Sequence, residues 1–187
     1  MEKIGSSLPV RFAVLGFLCE RSLHGYELAQ RIERGLGALW RIATSQLYAV
    51  LHRLEALGLA TAHVEEMDAR PARTVYCVTD EGREAFEQWL RTPVAHLRDM
   101  RVEFLAKVYF LRRRSAAQVD QLIESQIEHL GKAESGTRSR KGIPSDDRVF
   151  GLLVSSFRKH RMESMVTWLQ IERDRIARVD VDRKEEK

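Results

Sequence analysis

From Thr44 to Gly58 the sequence TSQLYAVLHRLEALG puts Leu47, Val50, Leu51, Leu54 and Leu57 on one side of a 3.6-residue period, and directly afterwards the period drops to two. Leu59–Met67 (LATAHVEEM) and Arg73–Thr79 (RTVYCVT) alternate as strands, joined by Asp68-Ala69-Arg70-Pro71-Ala72, a polar turn with a proline. Gly58, between helix and first strand, is the residue expected in a left-handed C-terminal position. Thr79-Asp80-Glu81-Gly82 then restarts a helix with a capping threonine and two acids where the macrodipole favours them; Ala85, Phe86, Trp89 and Leu90 form its apolar side. This is helix, short hairpin, helix.

Two helices precede it. Ser7-Leu8-Pro9 reads as a helix start, and Leu8 to Cys19 is apolar nearly all round, with Val10, Phe12, Val14, Leu15, Phe17 and Leu18, so it is expected to be buried. After a break at Leu23-His24-Gly25, the residues Tyr26, Leu28, Ala29, Ile32 and Leu36 give an amphipathic helix ending near Gly35 and Gly37. A linker through Trp40 leads to Thr44. Three helices, a two-stranded hairpin and a returning helix make a winged helix-turn-helix domain over residues 1–92, in which the third helix enters the major groove and the hairpin lies along the backbone. That arrangement accounts for the third helix's second face, where Ser45, Gln46, Tyr48, Ala49, His52, Arg53 and Ala56 replace the Glu/Lys mixture of a solvated helix.

Beyond Pro93 the pattern is helical only, so the fold class is mainly α with a small β hairpin: a winged helix-turn-helix followed by an all-helical dimerisation domain over residues 93–187. Met100–Leu111 (MRVEFLAKVYFL) ends in Arg112-Arg113-Arg114, read as a solvated helix end with DNA contact as the alternative. Ser115 caps a helix carrying Val119, Leu122, Ile123, Ile127 and Leu130, and Gly131–Ser145 reads as a basic loop. Asp146–Val179 reads as one long helix, or two in line. Phe150, Val154, Phe157, Met165 and Trp168 follow one stripe of it, while Val149, Leu152, Leu153, Met162, Val166, Leu169 and Ile176 spread over others. A helix apolar on several sides must bury several sides, and a second copy of the chain is the expected cover. The end, DVDRKEEK, is expected to be solvated.

The net charge of +4 and basic isoelectric point suggest a nucleic-acid partner, but the charge is unevenly spread. Residues 1–90 carry ten Lys and Arg against twelve Asp and Glu; residues 91–187 carry twenty-one against fifteen. DNA contact by the first half must therefore use local clusters. No apolar run approaches a membrane span and the N-terminus lacks a signal-peptide core, so a cytoplasmic location without membrane contact is expected. Cys19 and Cys77, without metal-ligand spacing, are expected to be buried structural thiols. No cofactor or metal site is expected. The absence of a phosphate-binding glycine loop, HExxH, nucleophile elbow or acid–His cluster argues against an enzyme, and the six histidines are scattered.

HGYELAQRI in the second helix, SQLYAVLHRLEALGLA in the third, RTVYCVTDEGREAF in the wing and return helix, and MRVEFLAKVYFL opening the tail resemble the PadR-like transcriptional regulators with a larger C-terminal dimerisation region. The likeness covers residues 8–90 and extends loosely into the tail through Trp168-Leu169. It implies a dimeric bacterial repressor that grips double-stranded DNA with wing and third helix. Ala49 stands where that family usually has proline, Gln46 where threonine is common, and the wing tip DARPAR is poorer in cations than usual. The resemblance raises Tyr48 from a half-exposed helix aromatic to a phosphate contact. Tyr26 belongs to the core or to the backbone-facing edge. Ser45 and Gln46 sit where a helix N-terminus meets phosphates or base edges, His52 and Arg53 face the groove, and Arg70 and Arg73 hold the backbone. Arg53 paired with a nearby acid is the competing reading. Trp40 and Trp89 are read either as packing or as the lining of a site for a small aromatic effector. The rival function is a winged-helix protein–protein adaptor without DNA binding.

Overall fold

The computed structural model describes residues 8–67, 70–138 and 147–185. The chain forms two compact units, one of residues 1–92 and 98–110, the other of 93–97 and 111–187.

In the first unit, helix α1 (Leu8–Glu20) is followed by a two-residue strand β1 (Leu23–His24), then α2 (Gly25–Leu36) and α3 (Thr44–Ala56). Strands β2 (Ala60–Met67) and β3 (Arg70–Val78) form the wing, and α4 (Asp80–Arg91) returns. Ser7, expected at the start of α1, lies outside the described residues. α1 is the centre of the core: Val14, Leu15, Phe17 and Leu18 are buried, as an all-apolar helix requires. α2 buries Leu28, Ile32 and Leu36 against it, and α3 buries Leu47, Leu51 and Leu54. Leu57, expected on the core side of α3, is 46% exposed, because the helix ends at Ala56 and the chain turns away. Gly58 then takes φ 69°, the left-handed conformation expected of it.

The sheet has three antiparallel strands in the order β1-β3-β2, where two were expected. The Leu23-His24 break is itself extended and pairs Leu23 with Tyr76 and His24 with Val75. β3 begins at Arg70, so part of the expected turn is strand; residues 68–69 lie outside the described set. Pro71 is tolerated because at that end β3 has only β2 beside it. Thr79 joins wing to helix as expected: its Oγ1 accepts from Gly82 N at 3.0 Å and donates to Gly58 O at 2.7 Å. Gly82 can occupy that turn only as glycine, since a Cβ would stand 2.0 Å from the Leu59 carbonyl oxygen.

From Arg98, in the short 3₁₀ turn Leu97–Asp99, through a π-helical turn (Met100–Phe104) to Phe110 in α5 (Leu105–Arg112), the chain completes this unit, in place of the plain helix expected over 100–111. This stretch brings Phe110 edge-on to Phe17 and Phe86, at ring distances of 5.3 and 5.2 Å. Lys107, in the same apolar run, is 1% exposed. Its Nζ donates to Thr92 O at 2.6 Å, pairs with Glu103 Oε1 at 3.0 Å and lies 5.0 Å from the centre of the Trp89 ring. Cys19 and Cys77 are half-buried thiols, where both were expected to be buried, and Cys77 Sγ donates to Ser22 Oγ at 3.0 Å.

In the second unit α6 (Ala116–Arg138) packs on α7 (Arg148–Glu185). α6 is longer than the sequence predicts: residues 131–138, part of the expected loop, continue the helix, with Glu128 and Lys132 pairing one turn apart at 2.6 Å. The rest of that expected loop, 139–145, lies outside the described residues. α7 begins at Arg148 with Asp147 Oδ1 accepting from the backbone of Val149 and Phe150, and it runs past the expected end at Val179. Leu169 of α7 is fully buried, Val119, Leu122, Ile123 and Leu130 of the α6 it packs against are buried, and Arg173 forms a two-pronged bond with Asp120. The Gln126 amide, also fully buried, accepts from Val94 N at 2.6 Å and donates to Val94 O at 3.0 Å, fastening segment 93–97 to α6.

Candidate nucleic-acid interface

The third helix divides as its period predicts. Leu47, Leu51 and Leu54 have no solvent exposure, and around them Ser45, Gln46, Tyr48, Ala49, His52 and Arg53 are all exposed. Its N-cap position is held by Ala43, which has no side chain able to cap, so Ser45 and Gln46 stand on a first turn without a side-chain acceptor. α2 likewise starts without a side-chain cap, at His24, and Tyr26 on its first turn is 74% exposed. That places Tyr26 on the open edge of the unit and outside the core.

Tyr48 ties the two helices together. Its ring lies against Gly25 at the start of α2 while the residue remains 39% exposed. Below it, Tyr76 of β3 is buried, and its hydroxyl is pushed above the ordinary tyrosine range by burial, then by the nearby Glu55 and Tyr48. His52 Nδ1 lies 3.4 Å from Glu55 Oε2 one turn along, an exposed pair. Arg53 forms no ion pair among the described residues. The guanidinium near it is Arg11, which is held below its ordinary value by burial and then by Arg53 itself. In the wing, Arg73 is exposed and stands opposite Glu65 in the strand register. Arg70 opens β3, and its side chain lies outside the described set.

The two tryptophans differ. Trp89 is 5% exposed, stacked between Phe12 and Phe86, with its Nε1–H donated to Glu103 Oε1 at 3.0 Å. Trp40 is half-buried in the linker before α3, and its indole N–H is buried without a hydrogen-bond partner among the described residues. On α7, Phe150 and Phe157 of the expected dimer stripe are 59% and 62% exposed, while Val154, Met165 and Trp168 are half-buried. Among the described residues no group of three or more His, Cys, Asp or Glu is placed to hold a metal ion, and no helix is long and apolar enough to cross a membrane. Sequence reasoning passed over Gly25, Lys107 and Gln126. Glu103 and Lys107 at i,i+4 could be read only as an ordinary surface pair, because nothing local marks their burial.

Three helices, a small antiparallel sheet ending in a wing and a return helix define a winged helix-turn-helix protein, here with a helical C-terminal region. The sequence profile of the transcriptional regulator PadR-like family matches residues 14–88. A transcriptional regulator of Mycobacterium tuberculosis is 37% identical over 79 residues, which span 42% of this chain and 70% of that protein. The chain belongs to the PadR-like family of transcriptional regulators. It is also similar to the negative transcriptional regulator PadR of Bacillus subtilis, at 25% identity over 170 residues, covering 86% of this chain and 93% of that protein. The crystal structure of Bacillus subtilis PadR in complex with operator DNA matches at 23% identity and a TM-score of 0.47, covering 89% of this chain and 99% of that one.

Proposed function

We propose that the chain is a DNA-binding repressor that grips an inverted-repeat operator as a homodimer and is released by a small aromatic effector. The observation that carries this reading is the division of α3: three fully buried leucines fix it to the core, and every other side chain expected to meet DNA on it is exposed. Ser45, Gln46 and His52 supply donors and acceptors for base edges, and Tyr26, Tyr48, Arg53, Arg70 and Arg73 supply backbone contacts. DNA binding is assigned to residues 1–92 and dimerisation to 93–187, with 98–110 serving as scaffold for the first unit. The name of the Bacillus subtilis relative, a negative regulator, supports repression over activation.

Dimerisation is supported by the start of α7, where Val149, Phe150, Leu152, Leu153 and Phe157 are all at least 59% exposed. An apolar patch of that size on one helix calls for a cover, and a second copy supplies it. Of the two tryptophans, Trp40 is the better-supported effector contact, because its N–H is unfilled whereas Glu103 occupies that of Trp89. A gel shift with DNA from upstream of the chain's own gene tests the reading. A retarded band that survives competitor DNA is expected; its absence favours the adaptor, which the net negative charge of residues 1–90 also supports.

A further inference from the structure

Gly25, the first residue of α2, is buried, and the atoms nearest to where a side chain would begin all belong to one residue. A Cβ there would stand 2.6 Å from Tyr48 Oη, 2.9 Å from Cζ and 3.0 Å from Cε1, well inside van der Waals contact. The backbone at Gly25 has no positive φ, so conformational freedom does not explain the glycine. Helix propensity does not explain it either, since alanine is the better helix former. What the position requires is room for the Tyr48 ring.

That ring belongs to the exposed face of α3, and only two side-chain torsions set where its hydroxyl stands. A ring resting on backbone cannot swing toward α2, so the contact fixes the hydroxyl between the open first turn of α2, marked by Tyr26, and the polar face of α3. We propose that Gly25 is a positioning residue for DNA binding: it is the seat that holds the Tyr48 hydroxyl at the phosphate backbone. The proposal rests on Tyr48 being a backbone contact. A methyl group at this point displaces the end of a side chain and leaves the main chain in place, so the cost falls on binding and spares the fold.

The test compares wild type, Gly25→Ala, Tyr48→Phe and the double variant, as full-length proteins, on a fluorescent duplex from upstream of the chain's own gene. Each single substitution is expected to weaken binding about tenfold, as for a lost hydrogen bond to a charged group. The double variant is expected to bind no more weakly than Gly25→Ala, since both changes remove one contact. The thermal midpoint of Gly25→Ala is expected to match wild type. Independently of DNA, ring-labelled tyrosine NMR follows the Tyr48 signal, identified by its loss in Tyr48→Phe; in Gly25→Ala it is expected to move further than those of Tyr26 and Tyr109. An unmoved Tyr48 signal, a double variant whose losses multiply, or a collapse of the midpoint overturns the proposal. If wild type binds no DNA, the functional reading falls, the role in DNA binding falls with it, and the NMR result alone decides whether Gly25 seats the ring.

Discussion

Replacing Lys107 by methionine keeps the volume of the side chain and removes its charge, which separates packing from electrostatics in the core of the first unit. The ammonium lies 1% exposed, held by the Thr92 carbonyl, Glu103 and the face of Trp89. Without it, Glu103 keeps a carboxylate whose side chain is 18% exposed and whose remaining donor is the Trp89 indole. Breaking a buried pair on one side costs about 3–5 kcal/mol, and the partial exposure of Glu103 brings the expected loss to about 2–3 kcal/mol. Adding Glu103→Gln leaves an acceptor for Trp89 and no stranded charge, so the double variant should return to within about 1 kcal/mol of wild type. Urea titrations followed by tryptophan fluorescence read both. Lys107→Met as stable as wild type would refute the reasoning, because the ammonium would then not be needed to balance Glu103.

The same pair gives a pH signature. Burial lowers the Lys107 pKa, and Glu103 only partly opposes it, so the folded value lies below the ordinary 10.5. Between the two values the unfolded chain binds more protons than the folded one, and stability contributed by this group rises with pH up to 10.5. The difference between wild type and Lys107→Met should carry that rise, with the opposing titration of Tyr76 cancelled between them; a flat difference contradicts it.

Gly82→Ala should cost at least about 3 kcal/mol, the upper end of ordinary overpacking, because the new methyl meets the Leu59 backbone at 2.0 Å and not a movable side chain; a thermal melt near wild type would contradict this. Phe157→Glu should shift the protein from dimer to monomer in light scattering at micromolar concentration while the circular dichroism of the helices is kept, since Phe157 is 62% exposed and its loss empties no core. A dimer that survives this change and Phe150→Glu would place the interface elsewhere.

How much of this was legible in the sequence depended on whether a feature is periodic. The apolar face of α3, the Gly58 stop and the Thr79 cap were readable because each is written in neighbouring residues. The strand Leu23–His24 was not, since two residues show no alternation and its extended form is set by pairing with Tyr76 and Val75 far along the chain. Helix α6 overran Gly131 although its glycines and Ser135 disfavour helix, and Glu128 and Lys132 pair one turn apart across Gly131, a contact that composition alone does not reveal. The exposed polar face of α3 was legible as a list of residues, whereas the seat of Tyr48 on Gly25 joins two helices and could be found only in three dimensions.

The measurement that bears most directly on the account is the affinity of wild type, Gln46→Ala and Arg73→Ala for an upstream inverted repeat and for random DNA, across a salt series. With one copy of α3 on each half-site, the half-site centres should lie ~34 Å apart or a multiple of that. Arg73→Ala should weaken both duplexes alike and shallow the slope of log affinity against log salt by about 1 per contact. Gln46→Ala should cost ~1–3 kcal/mol on the operator and far less on random DNA. Unchanged operator affinity in both variants would contradict the claim that the exposed face of α3 and the wing form a DNA-reading surface.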